Sequence, residues 1–171
     1  MGLVTQLLLT CCVFLLFPYS SSADFSGQVV SVLDGDTIEV LHNGKAQRIR
    51  LQAIDCPEKG QPFGKIAKWA TSALVFGRTV TVQGHDKDKY KRLVADVLLA
   101  DETNVNQKLV KDGWCWWYRK YAPGDTVLEV LEAEAREARR GVWALPNPVP
   151  PWEWRKAKRE QKVPNLPVPE N

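Results

Sequence analysis

Residues 32–58 read VLDGDTIEVLHNGKAQRIRLQAIDCPE, and the fold follows from how this stretch turns back on itself. Asp34 and Asp36 flank Gly35 where a strand begins, and Asn43-Gly44 supplies a two-residue hairpin turn. Arg50 lies on the returning strand, and Asp55 and Glu58 follow where that strand breaks at Pro57. Such a hairpin gathers acids and an arginine at one end. Carboxylates with no clustered His or Cys suit Ca²⁺ or Mg²⁺ better than zinc, and a guanidinium offers a planar fork that matches phosphate oxygens. A metal beside an arginine points to phosphodiester chemistry. Asp-Gly-Asp alone is an ordinary turn, with Asp bonding its own backbone. Combined with an arginine between apolar residues and with Ile54-Asp55-Cys56-Pro57-Glu58, it answers to no single structural need.

These residues resemble the motif of the staphylococcal nuclease-like (thermonuclease) family, in which DGDT, a strand arginine and D-x-P-E correspond to Asp34–Thr37, Arg50 and Asp55–Glu58. A second block, Asp88-Lys89-Tyr90-Lys91-Arg92, is similar to the family's D-K-Y-G-R, with Lys91 where the family has glycine. The resemblance runs from about Phe25 to Trp143. It implies that Asp36 and Asp55 ligate Ca²⁺ together with the backbone carbonyl of Cys56, while Asp34 orients water beside the ion. It further implies that Glu58 is a general base and that Arg50 and Arg92 grip the phosphoryl oxygens. Lys89 and Tyr90 would then contact a neighbouring phosphate, and Tyr118 and Tyr121 would flank the nucleotide.

Working outward, Phe25–Leu33, Asp36–His42 and Ala46–Ala53 alternate as three strands of a meander, and Arg78–Gln83 and Arg92–Ala100 read as two more. Between them, residues 62–77 carry Ile66, Trp69, Ala70, Ala73 and Leu74 at helical spacing, which predicts a helix with Trp69 in the core. Asn104 caps a short helix ending at Gly113, and Thr126 with Glu129 forms a capping box for a helix through Arg140. On that last helix Leu128, Leu131, Ala135 and Ala138 make the apolar stripe, and Glu132 pairs with Arg136 on a solvated face. The expected class is α+β, a five-stranded OB-type β-barrel with about three helices, the staphylococcal nuclease-like fold. Trp114, Trp116 and Trp117 are expected in the core, and His42 and His85, each beside turn residues, in solvent.

Residues 1–23 contain no charged side chain, and an apolar run from Leu7 to Phe17 is followed by Pro18 and a small-residue stretch ending at Ala23. That is the pattern of a signal peptide, and the run is shorter than the roughly 20 residues a membrane span needs. The expected organisation is a signal peptide over 1–23, one nuclease-like OB domain over 24–145, and a Pro-rich, basic tail over 146–171. The tail, with Arg155, Lys156, Lys158, Arg159 and Lys162, is expected to be extended or disordered and, from Pro148 onward, dispensable for chemistry. A formal net charge of +3 does not by itself argue for nucleic acid. Loss of the leader would remove Cys11 and Cys12 and leave Cys56 and Cys115 in a compartment that permits disulfides, so a bridge and two free thiols are both open.

The leading expectation is a secreted or periplasmic, monomeric, Ca²⁺-dependent endonuclease acting on DNA and RNA, without stable membrane association once the leader is gone, and leaving 3′-phosphate ends as the resemblance implies. Two alternatives are a non-catalytic OB-type nucleic-acid-binding module and an interaction protein with a vestigial site. Loss of an acid or arginine would favour the binding module. Asp36, Arg50, Asp55, Glu58 and Arg92 are all present.

Overall fold

The computed structural model describes residues 24–162; the expected signal peptide falls outside them. Five strands close a barrel in the order β1 (Phe25–Asp34), β2 (Thr37–His42), β3 (Lys45–Leu51), β6 (Leu93–Leu98) and β5 (Thr79–Lys87). β1, β2 and β3 form the meander, with Asn43 and Gly44 at φ 49° and 73° as the turn requires. Parallel pairing of β3 with β6, and antiparallel pairing of β5 with both β6 and β1, complete the closure. Two irregularities in β1, at Val29/Ser31 and Val32/Asp34, let the strand coil and swing Asp34 and Asp36 out at its end. Val29, Ile38, Val40, Ile49, Leu51, Val80, Val82, Ala95 and Val97 fill the interior. This is the α+β, OB-type architecture expected, with four α-helices among the described residues instead of about three.

Helix α1 (Gly64–Val75) lies against β1. It buries Ala67, Ala70, Thr71 and Val75 and leaves Ile66 and Trp69 outside. Trp69 is 69% exposed, against the expectation that it is core. Both stripes have helical spacing, and close approach selects the smaller one. A Cβ on Gly35 would stand 2.7 Å from that of Cys56 and 3.1 Å from that of Ala67, so no indole fits there. The Thr71 hydroxyl then donates to the Gly35 carbonyl at 2.6 Å, fixing the Asp34–Asp36 turn to the helix.

Helix α2 (Val105–Lys111) is capped by Asn104, as expected, its side chain accepting from the Gln107 N–H. Helix α3 (Thr126–Glu137) is capped by Asp125, one residue before the Thr126 box, with the carboxylate accepting from the Leu128 N–H at 2.9 Å. Its Leu128 and Ala135 are buried, Ala138 is exposed, and Glu132 is buried, not solvated. A 3₁₀ turn over Gly141–Ala144 leads to helix α4 (Pro151–Lys162), where an extended or disordered tail was expected. Pro151 occupies the first helical position, where a missing N–H costs nothing, and Glu153 stands in the positive first turn. Both signals lie within the proline-rich segment expected to be an extended or disordered tail. No described helix is long and apolar enough to cross a membrane.

Candidate active site

Two short strands carry the site beyond the barrel rim. β4 (Ile54–Asp55) pairs antiparallel with β7 (Trp116–Trp117), Ile54 opposite Trp117 and Asp55 opposite Trp116. That register places Cys56 opposite Cys115, and the two form a disulfide with Cα atoms 4.2 Å apart. Of the two open thiol states, the structure has the bridge. The segment after α2 thereby holds Asp55 in place, and Asp55 is only 1% exposed.

Asp36, in the turn just before β2, accepts from the Cys56 N–H at 2.9 Å and from the Thr37 hydroxyl at 3.1 Å. One Arg50 nitrogen, Nη2, sits 3.1 Å from Asp36 Oδ2 and 3.1 Å from Asp55 Oδ1, while Nη1 donates to the Leu51 carbonyl. Two acids 19 positions apart in sequence thus share one guanidinium. Asp34 lies behind them, its carboxylate accepting from the Asp36 N–H at 3.2 Å. Burial, and then the Asp36 charge beside it, push Asp34 up to about 6. Burial also raises Asp55, assisted by Asp36 and opposed by Arg155 and Arg50.

Arg92 enters from the start of β6. Thr37 is the register partner of Arg50, and its hydroxyl also accepts from Arg92 Nη1 at 3.4 Å, so both arginines reach the same corner. Asp88 holds Arg92 by accepting from its Nε at 2.7 Å and from the backbone N–H groups of Tyr90 and Arg92. Burial works against the Asp88 charge, but these bonds outweigh it and keep its carboxyl below the usual range. Lys89 and Arg92 both lie over the exposed Tyr90 ring, at 5.0 and 5.4 Å. On the β7 side, Tyr118 and Tyr121 meet edge to face at 4.9 Å. Asp34, Asp36, Arg50, Asp55 and Arg92 are therefore joined through direct contacts, with Thr37 between the two arginines, whereas Lys89 and Tyr90 stand beside Arg92 on the β5–β6 connection. Trp116 and Trp117 are buried as expected, and Trp114 is partly buried. His42 is not in free solvent but packs on Phe25 at 4.1 Å, and exposed His85 bonds Asp96.

Among the described residues no three His, Cys, Asp or Glu side chains converge as a metal cluster. The donor set is still that of a hard cation. Asp36 and Asp55 are carboxylates drawn together by one cationic group, and remaining positions around such an ion are commonly filled by carbonyl, water and substrate oxygens.

Sequence reasoning missed Gln61, Trp152 and Arg155. Buried Gln61 accepts from the Glu58 N–H at 3.0 Å and donates to the Val149 carbonyl at 2.7 Å, tying the Glu58 loop to the lead-in of α4. Arg155 donates to Asp55 Oδ2 at 2.7 Å, to Asp55 Oδ1 at 3.1 Å and to Glu58 Oε1 at 2.5 Å. Burial disfavours its charge, but Asp55 and Glu58 overcome this and raise its pKa. Trp152 stacks on Tyr118 at 5.1 Å, with the rings 2° from parallel. The basic cluster was legible; its landing on these acids was not.

The structure is a five-stranded OB-type barrel with an acid pair held by guanidiniums beside it. The chain belongs to the staphylococcal nuclease family: the family described as "Staphylococcal nuclease homologue" matches residues 48–145. It is 49% identical over 136 residues to an "Uncharacterized endonuclease" of Escherichia coli, covering 80% of this chain and 88% of that protein. It is 41% identical over 146 residues to a "Micrococcal nuclease" of Shigella flexneri, covering 80% and 84%. An "Uncharacterized endonuclease" of Haemophilus influenzae is 36% identical over 162 residues, covering 94% of this chain and 86% of its own length. The matched family segment holds Arg50, Asp55, Glu58 and Arg92; Asp34, Asp36 and α4 lie outside it.

Proposed function

We propose that this chain is a secreted or periplasmic, Ca²⁺-dependent endonuclease that hydrolyses phosphodiester bonds in DNA and RNA and leaves 3′-phosphate ends. The observation that carries the reading is Arg50 placed between Asp36 and Asp55 within reach of both. Asp36, Asp55 and the Cys56 carbonyl would hold Ca²⁺, and Asp34 would orient water beside them. The ion, when bound, supplies charge neutralisation at the phosphate.

Glu58 is the acceptor for the proton of the attacking water. As the water oxygen bonds to phosphorus, the bond from phosphorus to the 5′ oxygen breaks, and that oxygen takes up a proton from solvent. Arg50 and Arg92 donate to the phosphoryl oxygens as negative charge accumulates, a role in which bidentate donors surpass lysine. Lys89 and Tyr90 would meet an adjoining phosphate, and Tyr118 and Tyr121 the nucleotide. One observation favours the non-catalytic alternative: Arg155 engages Glu58, which a base must be free of to act.

Cleavage of single-stranded DNA across a Ca²⁺ titration decides between them. Wild type should cleave, lose activity to a chelator and release 3′-phosphate ends. Arg50→Lys should lose about 10²- to 10³-fold in rate with the charge kept. No cleavage at any Ca²⁺ concentration would leave the binding module; activity indifferent to chelator, or a normal Arg50→Lys rate, would refute the mechanism. Products with 5′-phosphates would refute the assigned bond.

A further inference from the structure

Trp152 and Arg155 are three residues apart on α4, so they project from one face and reach two parts of the candidate site together. Arg155 takes both oxygens of Asp55 and one of Glu58; Trp152 lies flat on Tyr118. We infer that α4 is an autoinhibitory plug, its guanidinium occupying the cation ligand Asp55 and the proton acceptor Glu58, and its indole occupying the Tyr118 face on which a base would stack. The inference rests on the reading of Asp55 as a cation ligand.

The competition is electrostatic. Asp55 has two oxygens: Oδ1 receives Arg50 and Arg155, and Oδ2 receives Arg155. Oδ2 keeps one lone pair, but the Arg155 guanidinium lies across both oxygens and sets a positive charge where a divalent cation would sit, so cation and Arg155 compete for Asp55. Arg50 is also tied to the Leu51 carbonyl, a contact the ion does not contest, so Arg155 is the one that leaves. Glu58 is released in the same movement. The parallel rings of Trp152 and Tyr118 reproduce the geometry of a base on an aromatic platform, so substrate competes for a second contact on the same helix.

The plug is also built to come away. Arg155 keeps 34% of its side chain exposed, and the Gln61 to Val149 bond anchors the lead-in to α4 instead of the helix. An isolated helix of 12 residues is marginal in water, so docking is what holds α4 helical. Release should therefore appear as lost backbone protection as well as a freed site.

The test is calorimetric titration of Ca²⁺ into the full chain without nucleic acid, for wild type, Arg155→Gln and Trp152→Ala, together with amide exchange of the wild type. The second variant loosens docking without altering a carboxylate contact. Both variants should bind Ca²⁺ about tenfold more tightly, as follows if α4 is docked in about nine-tenths of molecules. Amide exchange over residues 151–162 of the wild type should accelerate as Ca²⁺ saturates. Equal affinities in the three proteins, or α4 protection unchanged at saturation, would overturn the plug while leaving the cation site standing. No Ca²⁺ uptake by any of them would remove the cation site, and the plug with it. Cleavage lost in Arg155→Gln at saturating Ca²⁺, but kept in Trp152→Ala, would make Arg155 part of the reaction and also overturn the inference. Should a variant fail to fold, seen as a lost near-ultraviolet dichroism signal, amide exchange of the wild type decides alone.

Discussion

Lys91 stands at φ 63°, in the left-handed region that glycine enters freely and other residues enter at a cost of about 1–2 kcal/mol. The turn there demands it, because the Lys91 N–H donates to the Asp88 carbonyl and the Asp88 N–H donates to the Arg92 carbonyl, each at 2.9 Å. The Asp88 carboxylate then grips Arg92 and fixes the turn regardless of the residue at 91. Restoring the family's glycine should relieve the strain, offset in part by the greater freedom glycine gives the unfolded chain. Lys91→Gly is therefore expected to raise stability by about 0.5–1 kcal/mol, read as a higher denaturation midpoint in urea at unchanged slope. A lower midpoint would show that the lysine is not strained there.

At the scale of elements, the β4–β7 pair does most to position the acids. Its disulfide joins positions 59 residues apart, and Cys56 also donates its N–H to Asp36, so one bridge steadies both proposed cation ligands. A loop of that length implies a stabilisation of about 4 kcal/mol from restricted unfolded-state entropy. The paired Cys56→Ser and Cys115→Ser variant should fall in stability by about that amount, with slower cleavage at equal Ca²⁺, measured by chemical denaturation and initial rates. Finding both thiols free in the unreduced, denatured protein would deny the bridge.

Across the whole molecule, Glu132 connects the helical side to the site. Its side chain is 1% exposed, accepts from the Trp117 N–H at 3.1 Å, and pairs with Arg119 at 2.9 Å and Arg136 at 3.2 Å. Both arginines are about half exposed and can turn to water, so the main loss on truncation is the stranded Trp117 N–H and the cavity. Glu132→Ala is expected to cost about 2–3 kcal/mol, and Glu132→Gln, which keeps an acceptor and the shape, distinctly less. Thermal and urea unfolding of both variants checks this; equal losses would assign the effect to charge.

The amino-acid sequence alone determined the five barrel strands in outline, the hairpin, the Asn104 cap and the closeness of Asp36, Arg50 and Asp55. Each of these is local: strand alternation has period two, Asn-Gly makes a turn in place, and Asp34 to Glu58 lie on one short stretch. It did not decide which stripe of α1 faces inward, because Ile66 and Trp69 repeat with the same spacing as Ala67 and Ala70, and only the close approach to Gly35 and Cys56 selects between them. Nor did it decide the parallel β3–β6 closure, the Cys56–Cys115 bridge or the burial of Glu132, each of which joins distant segments. Arg155 is the extreme case. A basic residue after a run of prolines reads locally as solvated, and its pairing with Asp55, 100 positions away, exists only because the folded chain carries α4 back across the barrel rim to acids that had no reason of their own to be near it.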